Sequence, residues 1–134
     1  MQLDQQPVEP WLVEELAQRA FGLPGVIERP SQISVPGARA LVLADDEPAG
    51  PPEAFLVGRE FAHLHPAPDH SLHAMLPSEI VAAAIAAGWA ENHPMAVRGV
   101  IPPTAVMIYA PRDEEELDVL EQLIRASHAF ARPG

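Results

Sequence analysis

Proline is the feature that most limits how this chain can fold. Sixteen of the 134 residues are prolines, and they divide the sequence into short segments. Because proline lacks an amide hydrogen and fixes φ, helices and central strands are expected between prolines rather than across them. Prolines and glycines together stay below the share typical of a disordered chain. With 48% hydrophobic residues, the sequence predicts a single domain over residues 1–134, with a core from about residue 8 to 131.

The proline-free segments carry two kinds of hydrophobic pattern. Apolar residues recur at helical spacing over 11–21, from 77 or 78 to 87, and after the capping pair of Asp113 and Glu116. Extended, β-rich runs occupy 26–27, 32–35, 38–44, 54–65, 71–76 and 104–109. We condense this pattern to the order α-β-β-β-β-α-β-α, which predicts an α+β domain. Its mainly antiparallel sheet would have helices packed on one face.

Composition excludes several kinds of chemistry and partner. The chain has no cysteine, and its eight basic residues are all arginines, so thiolate sites, disulfides and Schiff-base lysines are absent. A net charge of -11 with scattered arginines argues against nucleic acid and anionic membrane as partners. The first residues lack a secretory signal pattern, and no apolar run approaches membrane-spanning length. These features predict a soluble, cytoplasmic protein.

Four of the six histidines fall in one segment, residues 61–76, with the sequence FAHLHPAPDHSLHAML. Two alternating runs flank a turn signal at 66–70, which predicts a β-hairpin. A turn centred on Pro68 places His63 opposite His73 and His65 opposite Ser71. One face of the hairpin is then wholly apolar. The other face carries Phe61, His63, His65, Ser71, His73 and Met75.

Three histidines of that second face form a candidate catalytic site. On one strand, His63 and His65 have Cα atoms about 6.6 Å apart, and His73 lies directly across from His63. Three imidazoles with an open fourth position are typical of a divalent metal site of the zinc or iron class. Without a metal, the same rings could act as acid-base groups near neutral pH. A plain surface or packing role for the three rings is the remaining alternative.

Glu60 is a further candidate for catalysis. Its strand parity matches that of Ala62 and directs it into the core, unless a bulge near Gly58 redirects it. A buried carboxylate would need a partner, and Arg59 or Arg98 could provide one.

Other residues are candidates for contacting a ligand. His93 could approach the histidines as a fourth metal ligand or a proton carrier, and the aperiodic segment 91–103 could form a lid or rim. Arginines could hold a carboxylate or phosphate. The full set of candidate ligand-binding residues is Arg59, Phe61, Ser71, Met75, His93, Arg98 and Arg112.

Several of these motifs also resemble a known family. The segment GREFAHLHP at 58–66, Asp69, SLH at 71–73, Gly88-Trp89, His93-Pro94 and PRD at 111–113 before an acidic helix are similar to the luciferase-domain family of small bacterial and fungal proteins. The resemblance covers roughly residues 25–131. One departure is that the family's Asp-Gly-Ser turn reads Asp69-His70-Ser71 here. The resemblance implies site roles for Arg59, Glu60, His63, His65 and His73, and secondary roles for Trp89, His93 and Arg112.

The sequence therefore favours a small-molecule-binding metalloprotein or enzyme, with a ligand that could be anionic. The rival interpretation, from another class, is a non-catalytic module whose histidine face binds a partner protein. Homo-oligomerisation and the reaction type stay open at this level.

Overall fold

The fold is built around one antiparallel sheet. The computed structural model describes residues 9–133. The six strands of the sheet lie in the order β1-β2-β3-β4-β6-β5. The strands are β1 (Val26–Pro30), β2 (Arg39–Leu43), β3 (Glu60–Leu64), β4 (Leu72–Met75), β5 (Ala90–Asn92) and β6 (Ala105–Ile108). The helices are α1 (Pro10–Phe21), α2 (Ser78–Ala86), α3 (Pro94–Val97) and α4 (Glu114–Ala131). Within residues 9–133, every helix is too short or too polar to cross a bilayer.

The first and last helices cover one face of the sheet. Pro10 occupies the first turn of α1, where its missing amide hydrogen costs nothing. The carboxylate of Asp113 caps α4 by accepting a hydrogen bond from the backbone N–H of Glu116 at 2.8 Å. The apolar stripe of α4 then packs on β3 and β4 and against α1. These elements confirm the predicted α+β class with helices on one face.

The opposite face of the sheet is covered by connecting segments instead of long helices. The β1–β2 connection lies over it, because Ser31 donates a side-chain hydrogen bond to Glu60 at 2.8 Å. Ile33, Leu56 and Ile101 share a cavity with His63 on this face. The histidine face is therefore largely covered, with His63 buried and His73 partly exposed.

The hairpin has the register predicted from its alternation. His63 pairs with His73, Ala62 with Ala74 and Leu64 with Leu72. The backbone N–H of His65 donates to the carbonyl of Ser71 at 2.9 Å, which continues the same register to the turn. The wholly apolar side of the hairpin belongs to the hydrophobic core, as expected.

Other predicted elements were wrong in extent. Residues 32–35 are not a strand, because the Ser31 hydroxyl accepts hydrogen bonds from the N–H groups of Ile33 and Ser34 and holds a tight turn there. The run 54–65 is broken by a short 3-10 helix (Pro52–Ala54) and by Gly58 at φ +53°, so β3 begins only at Glu60. Both β5 and α3 lie in segment 91–103 or at its edge and were not predicted.

Candidate functional site

The hairpin brings His63, His65 and His73 into one cluster, in which His63 is buried and His73 is partly exposed. Their ring centroids are 5.0 Å (His63 and His65), 4.8 Å (His63 and His73) and 4.5 Å (His65 and His73) apart. One nitrogen from each ring lies within 4.8 Å of the other two. Nitrogens that bind one tetrahedral ion are roughly 3.4 Å apart, so modest side-chain rotation would close the cluster around a metal.

A β-bulge adds Glu60 to this cluster. Leu41 pairs with Ala62 while the next residue, Val42, pairs with Glu60, so Phe61 is an extra residue in β3. The bulge reverses the parity of Glu60 and turns its side chain to the histidine face. Its carboxylate accepts hydrogen bonds from His63 Nδ1 at 2.8 Å, Ser31 Oγ at 2.8 Å and the N–H of Gln32 at 3.3 Å. Glu60 is thus redirected as the sequence allowed, although the bulge lies at Phe61 and not beside Gly58.

Acidic groups determine where the protons of two histidines lie. A carboxylate can only accept, so the 2.8 Å contact with Glu60 places the proton of a neutral His63 ring on Nδ1 and leaves Nε2 as an acceptor. The Ser71 hydroxyl donates to Asp69 and therefore accepts from His65 Nδ1 at 3.1 Å. The Nε2 atom of His65 is likewise unprotonated. Such outer hydrogen bonds are the ones that orient metal-binding histidines in proteins.

The third ring completes the cluster through a hydrogen bond between histidines. With His63 in this tautomer, the 3.0 Å contact is a hydrogen bond that His73 Nδ1 donates to His63 Nε2, and a metal bound to that nitrogen would replace it. Burial lowers the pKa of His73 to about 2, and the neighbouring histidines lower it in the same direction. Burial also lowers the pKa of His65, and that of His93. His65, His73 and His93 are consequently neutral near pH 7, which is the form in which histidine binds metals.

A cavity of about 250 Å³ opens beside the cluster. His63, His73 and His93 form its polar side, and the His93 ring centroid is 4.4 Å from that of His73. The remainder is mostly apolar and comes from three connecting segments, through Ile33, Leu56, Met95, Val100 and Ile101. Segment 91–103 therefore forms one wall of the cavity, where the sequence predicted a lid or rim.

The structure does not bring the candidate arginines to this cavity. Arg59 donates to the carbonyls of Leu43, Ala44 and Glu47 at 2.6 to 3.0 Å, which secures the loop after β2. Arg112 forms hydrogen bonds with Glu116 at 2.6 to 3.1 Å at the start of α4. Arg98 is exposed at the end of α3.

Two apolar candidates are also placed differently from the expectation. Phe61 was expected on the histidine face, but the bulge turns it into the helix-side core, 6.1 Å from the His128 ring. Met75 is fully buried and is not among the residues that line the cavity. Ser71, in contrast, contacts the cluster directly through His65.

Sequence reasoning missed part of the site. Ser31 contacts Glu60, which lies 29 residues away in the sequence, and no local sequence pattern predicts such a contact. Asp69 lies in the predicted turn at 66–70 and has no predicted role in the site. The Asp-x-Ser spacing is a usable signal, because the Asp69 carboxylate accepts from the Ser71 N–H at 2.9 Å and forms a turn. His70 between them has φ +59°, which explains why glycine suits this position.

Fold and site together define an α+β protein with a largely buried three-histidine cluster beside a mostly apolar cavity. The model of the luciferase domain family matches residues 58–127, just over half of the chain, and this stretch includes the hairpin and most of α4. The chain belongs to the luciferase domain family.

Curated relatives agree with this assignment. Proteins named "Luciferase" from Armillaria mellea and Armillaria ostoyae are 45% and 46% identical over 74 residues, and one from Neonothopanus nambi is 42% identical over the same length. These matches cover 54% of this chain but only 28% of each relative. The chain therefore spans little more than a quarter of those proteins. No solved structure matches it significantly.

Proposed function

We propose that this protein is a small-molecule-binding metalloprotein whose His63, His65 and His73 hold one divalent ion of the zinc or iron class. Glu60 and Ser71 would position two of these ligands. The ion would supply Lewis-acid chemistry beside the cavity, where a small molecule would bind. Turnover assays with small-molecule substrates would test whether this centre also catalyses a reaction.

One observation carries the proposal. Two of the three rings are held by outer hydrogen bonds that leave Nε2 unprotonated, and all three offer a nitrogen within 4.8 Å of the others. A buried histidine in a purely structural role needs a hydrogen-bond partner. It does not need a ring nitrogen that converges on one point with the nitrogens of two other histidines. The partners Glu60 and Ser71 are themselves 3% and 2% exposed, so the arrangement is rigid and shielded from water.

Elemental analysis of untagged protein tests the metal directly. We expect about one ion per chain in the wild type, and a loss of most of it in His63→Gln and His73→Gln, because two neutral ligands rarely retain a structural ion. His128→Gln is the matched control, since His128 lies on α4 and bonds the carbonyl of Pro24 at 2.7 Å. Wild-type protein that takes up neither zinc nor ferrous iron, or a metal content unchanged by both variants, would refute the proposal.

A histidine acid-base site is the second candidate. A continuous hydrogen-bonded series runs from Glu60 through His63 to His73, which reaches the cavity. Such a series could move a proton between ligand and carboxylate without a metal. Metal-free protein that loses a ligand-induced thermal shift in His73→Gln would favour this candidate.

A protein-interaction module is the third. The exposed apolar side chains Val35, Val97 and Val100 favour it, since they are more than half exposed. Unchanged metal content and unchanged small-molecule binding in all histidine variants, with altered self-association on sedimentation, would support it.

A further inference from the structure

His93 differs from the three clustered histidines in how its ring is held. It caps α3, and its Nδ1 accepts a hydrogen bond from the backbone N–H of Met95 at 3.1 Å. A backbone N–H can only donate, so Nδ1 is unprotonated and the proton of the neutral ring is on Nε2. The backbone of His93 is fixed as well, through a hydrogen bond to the carbonyl of Ala105 at 3.4 Å.

This tautomer decides what the ring can do. Its only lone pair, on Nδ1, is occupied by the Met95 N–H, and Nε2 carries a proton, so neither nitrogen can bind a metal without breaking the cap. Nε2–H is instead a hydrogen-bond donor. Its ring lines the cavity at 4.4 Å from the His73 ring.

The rest of the lining indicates which ligand would meet that donor. Among the residues that the structure describes, the cavity lining carries no arginine, and Arg59 and Arg112 are engaged elsewhere. Apolar side chains such as Ile33, Leu56 and Ile101 supply most of the surface. A fully charged ligand would lose its hydration here without gaining an opposite charge from these side chains.

We propose that His93 is a positioning residue that donates a hydrogen bond from Nε2 to a carbonyl or ether oxygen of an uncharged, largely apolar small molecule. This inference rests on the proposed function, because it assigns His93 to binding the small molecule and leaves the fourth coordination position of the metal open. It narrows the ligand from the anionic class that the sequence allowed to a neutral one.

Two substitutions separate the roles of His93. Asparagine is a good helix-capping residue and can accept from the Met95 N–H, but its short amide does not extend to the Nε2 position. Glutamine can present an N–H donor near that position but is a weaker cap. His93→Asn therefore removes the donor and His93→Gln retains it.

Three naphthalene probes test the ligand class by fluorescence titration. 2-Acetylnaphthalene has a carbonyl acceptor, 2-ethylnaphthalene has none, and 2-naphthoate carries a charge. We expect the wild-type protein to bind the ketone about fivefold more tightly than the hydrocarbon, as one neutral hydrogen bond provides, and to bind the carboxylate least. His93→Asn should abolish the preference for the ketone, and His93→Gln should retain part of it.

The inference is overturned if His93→Asn retains the full preference, if 2-naphthoate binds best, or if none of the probes binds the wild type. Metal analysis of the same variants gives a separate reading. An unchanged metal content in His93→Asn supports a donor role, whereas a loss as large as in His73→Gln would make His93 a ligand and refute it. If the wild type holds no metal, the proposed metal centre fails, but the probe series still decides the role of His93.

Discussion

At the inner strands β3 and β6 both faces of the sheet are buried, but the two faces are built in opposite ways. The helix-side face is apolar and is covered by α1 and α4, whose starts and hydrophobic periodicity are local features of the sequence. The histidine face holds buried polar groups, among them Glu60 at 3% exposure and His63 at 1%, under a roof of connecting segments. Apolar burial supplies most of the stability of a domain, whereas a buried polar network must satisfy every group and contributes specificity at best. The difference suggests that one face maintains the fold and the other serves the site.

The largest effect should come from the helix-side face. Leu120 is 1% exposed in the core of α4, and Leu120→Ala should lower the free energy of unfolding by about 2–5 kcal/mol because it leaves a cavity. Metal binding per folded molecule should not change. Urea titration measures the first quantity and elemental analysis the second. Gln122→Ala, on the exposed side of the same helix, is the control and should stay within about 0.5 kcal/mol.

The reverse outcome is expected on the histidine face. Glu60→Gln removes the carboxylate that holds the His63 proton on Nδ1, so metal affinity should fall by about 10- to 100-fold while the fold is retained. Competition with a coloured chelator measures the affinity. Glu79→Gln, at an exposed position of α2, should have no effect. Equal affinities for wild type and Glu60→Gln would mean that the carboxylate does not support the ligand.

The dependence of stability on acidic pH should also distinguish the two faces of the sheet. The pKa of His73 is about 2 in the folded protein and about 6.5 in the unfolded chain, so the unfolded state binds more protons between these values. Stability of the metal-free protein is therefore fully present above about pH 6.5 and declines as the pH falls below it. We expect Tm to drop by several degrees between about pH 7 and pH 5, and to drop less in His73→Gln. A wild-type curve that is flat over this range, or one that His128→Gln flattens as much, would contradict the assignment.

The smallest effect is expected outside both faces. The Arg112 side chain, just before α4, is half exposed and pairs with Glu116 in the first turn of that helix. Arg112→Gln should cost under about 1 kcal/mol, because solvent screens exposed ion pairs. Its metal content and probe binding should equal those of the wild type. A marked loss of ligand binding in this variant would restore Arg112 to the site and argue against an uncharged ligand.

Local patterns were enough to predict much of the fold. Four features follow from interactions within a few residues or across one short turn. They are Pro10 in the first turn of α1, the Asp113 cap of α4, the helix that begins at Ser78 and the register of His63 against His73. The strand at 90–92 was not predicted, because three residues are too few to show a hydrophobic alternation. A strand was wrongly predicted at 32–35, because β-rich composition does not show that the Ser31 hydroxyl accepts hydrogen bonds from the N–H groups of Ile33 and Ser34.

Residue order alone was enough to place three histidines on one face of a hairpin, since strand alternation and a short turn leave little freedom in the register. It could not determine what lies around them. The bulge at Phe61 that turns Glu60 toward His63, the contact from Ser31 and the cavity wall from segment 91–103 all depend on residues far apart in the chain. Only tertiary packing brings such groups together, because side chains distant in sequence meet only when the sheet and its connections are assembled.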